Sequence, residues 1–395
     1  MKFQTPLQDL PPPPSEAIAY SEALSRHIRG QIEREGSIPF ADFMRMALYE
    51  AGLGYYMTGL RKFGDGGDFI TAPEVSPLFS FCLAGQCLEV MQHIPRASIL
   101  EFGAGSGVMA SDILQFLAQR DRLPEHYYIL ELSAELQQRQ RETIGARVPQ
   151  LLSRVHWLSN LDHFQFKGVV LANEVLDAMP VRRFQCHADG LRELHVAAGS
   201  RDGFEWTLRP AAPELQRALQ EIQRDLGYAL PEAYTSEWNP GLAPWLQALW
   251  HSLDSGVALL IDYGYPRAEY YLPERAMGTL SCHYRHRMHD NPLMLVGLQD
   301  ITAFVDFSAV AAAGLAAGFE VGGFIDQAGF LVNGGIERLC AEESMQDMAV
   351  LQRAQQLKAL LLPSEMGERF KVLALHKAYN RALSGFGGAD RSHRL

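Results

Sequence analysis

A short strand that is apolar except for one acid, Ser98-Ile-Leu-Glu101-Phe, runs directly into three glycines at alternate positions, Gly103-Ala-Gly105-Ser-Gly107. No other feature limits the possible folds as strongly. Glycine accepts left-handed dihedrals that other residues resist, so alternating glycines let backbone pass close to a ligand. The helix expected from Val108 to Gln119 then presents unpaired amides at its first turn. A strand, a glycine turn and a helix N-terminus open a βαβ unit, which builds parallel sheets with ligands at the carboxyl ends of the strands.

The alternation continues downstream. Tyr127-Tyr-Ile-Leu-Glu131 reads as the second strand, and Ser133 caps a helix through Arg141. Val155–Leu158 reads as the third strand, Gly168–Asn173 as the fourth and Val257–Asp262 as the fifth. The expected fold class is α/β, a Rossmann-like sheet with helices on both faces. The spans of about 80 residues between the fourth and fifth strands and about 35 residues between the fifth strand and the helix near Phe307 are too long to be loops inside a compact domain, so they read as structured insertions forming an α+β cap. Leu191–Val196 and Phe204–Leu208 suggest a hairpin there, and Pro213–Leu226 an amphipathic helix.

The resulting division is a Pro-rich tail at 1–14, an N-terminal helical and lid segment at 15–95, and the first part of the core at 96–180. An inserted cap at 181–255 follows, then the second part of the core at 256–340 with an insertion at 264–303, and a C-terminal helical region at 341–395.

The ligand is narrowed by what flanks the glycines. A dinucleotide fingerprint requires a third glycine where this chain has Val108. Glu101 ahead of the loop disfavours a pyrophosphate and suits a cationic ammonium. Glu131, ending the second strand, suits a pair of ribose hydroxyls. Together these select S-adenosylmethionine, held by Glu101, Gly103, Gly105, Gly107 and Glu131. Ser159-Asn160-Leu161-Asp162 falls where an adenine-contacting loop would lie, with Asp162 the candidate, although a plain polar turn reads equally well. Thr71, with Asp68 and Glu74, lies on a glycine-rich stretch that is either a lid or a connector.

The fourth strand ends in Asn173-Glu174-Val-Leu-Asp177-Ala-Met-Pro180, which aims at the expected reaction site. Glu174 and Asp177 could clamp a guanidinium by charge-assisted pairs, or could be acids favoured at a helix N-terminus. The histidine-dense run Cys282–His289 has no metal-ligand spacing, and no metal is expected.

Composition excludes other classes. Hydrophobic residues at 47% and charged residues at 21% support a buried core. A net charge of −11 argues against a general nucleic-acid binder. No run approaches the ~18 apolar residues of a membrane span. Five cysteines, an odd number without a CxxC pair, suggest neither a disulfide framework nor a zinc site. With no apolar signal core at the N-terminus, a cytoplasmic protein is expected.

Several longer motifs occur in order: Gly52-Leu-Gly-Tyr-Tyr, Gly67-Asp-Phe-Ile-Thr-Ala-Pro-Glu74, the Glu101 glycine loop and Asn173–Pro180. They continue with Ile261-Asp-Tyr-Gly264, Gly278-Thr-Leu, Gln299-Asp-Ile-Thr, Val305-Asp-Phe-Ser308 and Met366–Leu373. From about residue 36 to 375 the chain resembles the MidA-like family, the mitochondrial complex I assembly methyltransferases and their bacterial relatives. The resemblance implies a SAM-dependent methyltransferase acting on an arginine of a protein substrate, with a respiratory complex subunit as the candidate target. It places Asn173, Glu174 and Asp177 at the transfer site and adds Glu237, in Thr-Ser-Glu-Trp-Asn-Pro240, as another guanidinium candidate. A small-molecule methyltransferase and a SAM-binding assembly factor without catalysis are the alternatives, and a homodimer is left open.

Overall fold

The computed structural model describes residues 10–58, 70–200, 203–342, 347–388 and 390–395. The chain divides into two compact units, one of Met1–Phe69, Asp177–Leu242 and Tyr265–Asp306, the other of Ile70–Leu176, Ala243–Gly264 and Phe307–Leu395. The expected segment 15–95 is thus shared between units, the division falling after Phe69 instead of near residue 95.

Among the described residues, the second unit contributes seven strands to one sheet. Its strands are β1 (Ser98–Phe102), β2 (Tyr127–Leu130), β3 (Val155–Leu158), β4 (Phe166–Asn173), β5 (Leu253–Tyr265), β6 (Glu320–Asp326) and β7 (Phe370–Lys377). Their order across the sheet is β6-β7-β5-β4-β1-β2-β3. β1 to β5 pair in parallel, whereas β7 runs antiparallel to both β5 and β6. All five residues of β1 are buried, as expected of a parallel strand covered on both faces. Helices form where caps start them: Ser76 accepts from the Leu78 amide ahead of α1 (Pro77–Met91), and Ser133 from the Leu136 amide ahead of α3 (Ala134–Arg147). Between these, α2 (Val108–Ala118) starts at Gly107.

One expectation fails here. The C-terminal region 341–395 contains a helix at Asp347–Leu361, but Phe370–Lys377 is a strand inserted between β5 and β6. Its first six residues are all buried, so the period-2 alternation that marks a half-exposed strand is missing. The sheet is therefore mixed at one side.

Two glycines let the central strands approach. Gly168 of β4 lies between Ser98 of β1 and Gly256 of β5 in register. A Cβ on Gly168 would lie 2.0 Å from the Ser98 carbonyl oxygen, and one on Gly256 1.8 Å from the Gly168 oxygen.

The first unit has its own core, including Phe40, Phe43, Met46, Tyr55, Val196 and Ile301. The expected hairpin is present as Gly190–Ala198 against Phe204–Pro210, with Val196 opposite Trp206. Strands Arg182–His187 and Thr235–Trp238 extend that sheet, and helix Pro213–Leu226 contributes Leu215, Leu219 and Ile222 to a separate cluster. A small three-stranded sheet centres on Ser281–Tyr284.

Candidate functional site

In the sheet unit, the functional residues gather at the carboxyl ends of β1, β2 and β4. Gly103, Gly105 and Gly107 have φ of +59°, +52° and +82°, all in the left-handed region that side chains resist. The loop between them therefore depends on glycine. It closes tightly on α3: a Cβ on Gly107 would lie 3.1 Å from the Gln140 Cα.

Glu101 is 1% exposed and accepts a 2.6 Å hydrogen bond from the Tyr127 hydroxyl. Burial pushes its carboxyl up to about 7, the Tyr127 bond opposes that shift and Glu131 adds to it. Glu131 is also buried, and its oxygens accept from the Ser133 amide at 3.0 Å and from Gln140 Nε2 at 3.0 Å. These two bonds fix the orientation of the Glu131 carboxylate.

Gln140 is the residue that sequence reasoning missed. Its Nε2 also donates to the Gly105 carbonyl at 3.1 Å, and its Oε1 accepts from Trp157 Nε1 at 2.9 Å. The signal was present in the spacing: Leu136, Gln140 and Ile144 are the buried residues of α3, an i, i+4, i+8 stripe that holds one amide.

Thr71 precedes the short helix Ala72–Val75, and Glu74 on that helix accepts from the Ser106 hydroxyl. This bond ties the Thr71 segment to the glycine loop. Asp68 lies outside the described residues. Asp162 is exposed, and its amide donates to Asn160 Oδ1 at 2.9 Å in a local turn.

β4 ends at Asn173, whose Nδ2 donates to Glu174 Oε1 at 3.2 Å. Asn173 Oδ1 is buried without a hydrogen-bond partner among the described residues. A buried acceptor left this way costs stability, so it marks a place for an incoming donor. Glu174 has φ of +53°, and its amide donates to the Ile261 carbonyl. No helix begins between Glu174 and Pro180, so the helix-terminus explanation of these acids does not hold. Asp262, fully buried on β5, instead holds the turn by accepting from the Leu176 and Tyr263 amides at 3.0 and 2.8 Å.

Asp177 and Glu237 belong to the other unit. Asp177 is buried, and its carbonyl accepts from the Ala303 amide. Glu237 is 1% exposed and pairs with Arg183 at 3.2 Å. Its other oxygen accepts from the Thr279 amide and hydroxyl at 2.8 and 3.1 Å. The guanidinium that Glu237 holds is thus one of this chain's own.

These features fit S-adenosylmethionine. The glycine loop admits close backbone approach, and Glu131 is a buried carboxylate held in place at the end of the next strand.

Comparison with known proteins agrees. Residues 82–325 match the family described as "Putative S-adenosyl-L-methionine-dependent methyltransferase". Protein arginine methyltransferase NDUFAF7, mitochondrial, of Danio rerio is 29% identical over 388 residues, 90% of this chain and 87% of its own length. The Homo sapiens protein of that name is 28% identical, covering 89% of this chain and 82% of its own. A crystal structure from Burkholderia thailandensis bound to S-adenosyl-homocysteine is 42% identical with a TM-score of 0.93, covering 98% of this chain and all of that one. The chain belongs to the MidA-like family of S-adenosylmethionine-dependent methyltransferases.

Proposed function

We propose that this enzyme methylates a guanidinium nitrogen of an arginine in a protein substrate. The observation that carries the reading is the end of β4, where the Asn173 amide donates through Nδ2 to the Glu174 carboxylate and its buried Oδ1 has no partner among the described residues. Two acceptors side by side suit a planar cation with several N–H donors. The names of the relatives, protein arginine methyltransferases matched over most of their length, support the same substrate class.

When bound, S-adenosylmethionine supplies a methyl group on a cationic sulfur. Gly103, Gly105 and Gly107 would admit it, Glu101 would face its ammonium and Glu131 would accept from its ribose hydroxyls. Asn173 and Glu174 would then orient the guanidinium so that one nitrogen faces the methyl, which is the entropic part of catalysis. Glu174 would take the proton that this nitrogen sheds on methylation. Asp262 holds the Leu176 amide and so fixes the turn that carries both groups. A respiratory complex subunit is proposed as the protein that bears the target arginine.

The test is incubation of the enzyme with radiolabelled S-adenosylmethionine and cell lysate. A labelled protein band that yields methylarginine on hydrolysis supports the proposal. Label in a small molecule instead, or no transfer at all, overturns it.

A further inference from the structure

Gln140 is fully buried on α3, and both donor hydrogens and the oxygen of its amide group have partners. One Nε2 hydrogen goes to the Gly105 carbonyl and the other to Glu131 Oε2. Oε1 accepts from the Trp157 indole, which has a donor and no acceptor to offer. The indole therefore fixes which end of the amide faces the ligand loop. A flipped amide would set its oxygen against two acceptors and its NH2 against the Trp157 N–H. Trp157 is itself held from outside by the Arg141 guanidinium, 3.9 Å from the ring centre.

We infer that Gln140 is a positioning residue for the cofactor, locking the glycine loop and the ribose-binding carboxylate into one rigid unit, with Trp157 setting its orientation. This rests on the assignment of Glu131 to the ribose hydroxyls. Without Gln140, the Glu131 carboxylate loses the amide that ties it to the glycine loop. The carboxylate could then rotate, and the Gly105 peptide with it. The chain would still fold, because the neighbouring stripe residues Leu136 and Ile144 remain.

The prediction is read by calorimetric titration with S-adenosylhomocysteine and with its 2′,3′-dideoxy analogue, alongside melting curves. For Gln140→Leu, affinity for S-adenosylhomocysteine should fall about tenfold or more, the scale of a lost hydrogen bond to a charged group. The dideoxy analogue already lacks the hydroxyls that Glu131 would hold, so it should lose clearly less. Gln140→Glu keeps the shape and replaces the donor by a carboxylate facing Glu131. Its affinity, relative to wild type, should worsen as pH rises and recover as the new carboxyl is protonated. Trp157→Phe should give a smaller loss in the same direction.

Equal losses for both ligands, or a Gln140→Glu variant whose ratio to wild type does not move with pH, would show that Gln140 supports the fold alone. Wild-type protein that does not discriminate the two ligands would instead overturn the Glu131 assignment, a separate failure.

Discussion

At the scale of single residues, the site depends on the buried carboxyl of Glu101 and the buried amide oxygen of Asn173, with different tasks. Glu101 is held at about 7 by burial, so near neutral pH it is partly protonated. A cationic ligand beside it favours the charged form, so binding should release a proton. Affinity for S-adenosylmethionine should therefore rise with pH through about 7 and level off above it, and Glu101→Gln should flatten the profile and weaken binding. Titration calorimetry across pH checks this, and an affinity that falls with rising pH contradicts it. The linkage to folding has the opposite sense. Between the unfolded value of ~4.3 and the folded value of about 7, the folded state binds the extra proton, so this group's contribution to stability falls as pH rises. Asn173→Ala removes an acceptor offered to the substrate cation, and should lower kcat by about 10- to 100-fold, the scale of a lost hydrogen bond to a charged group. Binding of S-adenosylhomocysteine should change little, and if both fall together the acceptor serves the cofactor.

At the scale of elements, close approach decides what the strands tolerate. Gly168→Ala puts a Cβ 2.0 Å from the Ser98 oxygen at a φ of +137°. It should destabilise the sheet unit by about 3 kcal/mol or more through overpacking and strain, seen as a lowered denaturant midpoint. In the other unit, Glu237 neutralises Arg183 at a buried strand pair. Glu237→Ala leaves that guanidinium without its partner and should cost about 3–5 kcal/mol. A variant that folds as well as wild type but has lost only turnover would return Glu237 to the transfer site.

At the scale of the whole molecule, the C-terminal segment closes an exposed sheet edge. The Arg391 amide donates to the Phe324 carbonyl of β6, and the Phe324 amide donates to Asp390 Oδ1. Arg391 pairs with Asp326, the Gly385 amide donates to Gln86, and Phe386 packs on Phe330. Chains ending at Leu383 should lose at least about 3 kcal/mol, since burial of Phe386 alone is on that scale. Their uncovered β6 edge should also favour association, detectable by light scattering. A truncated chain that stays monomeric with an unchanged melting temperature would refute this.

The features that the sequence determined by itself are local ones. Three alternating glycines, an acid before them and an acid ending the next strand lie within one βαβ unit, so spacing alone conveys their use. The hairpin and the helix at Pro213–Leu226 were legible for a similar reason, since each shows its own periodicity. Only the tertiary structure placed β7 between β5 and β6, because a strand buried on both faces has no alternation and its partners lie far off in sequence. It also separated Gln140 from the exposed Gln138 on the same helix. A glutamine's role depends on which donors and acceptors surround it, and here those come from Gly105, Glu131 and Trp157, on three different strand ends.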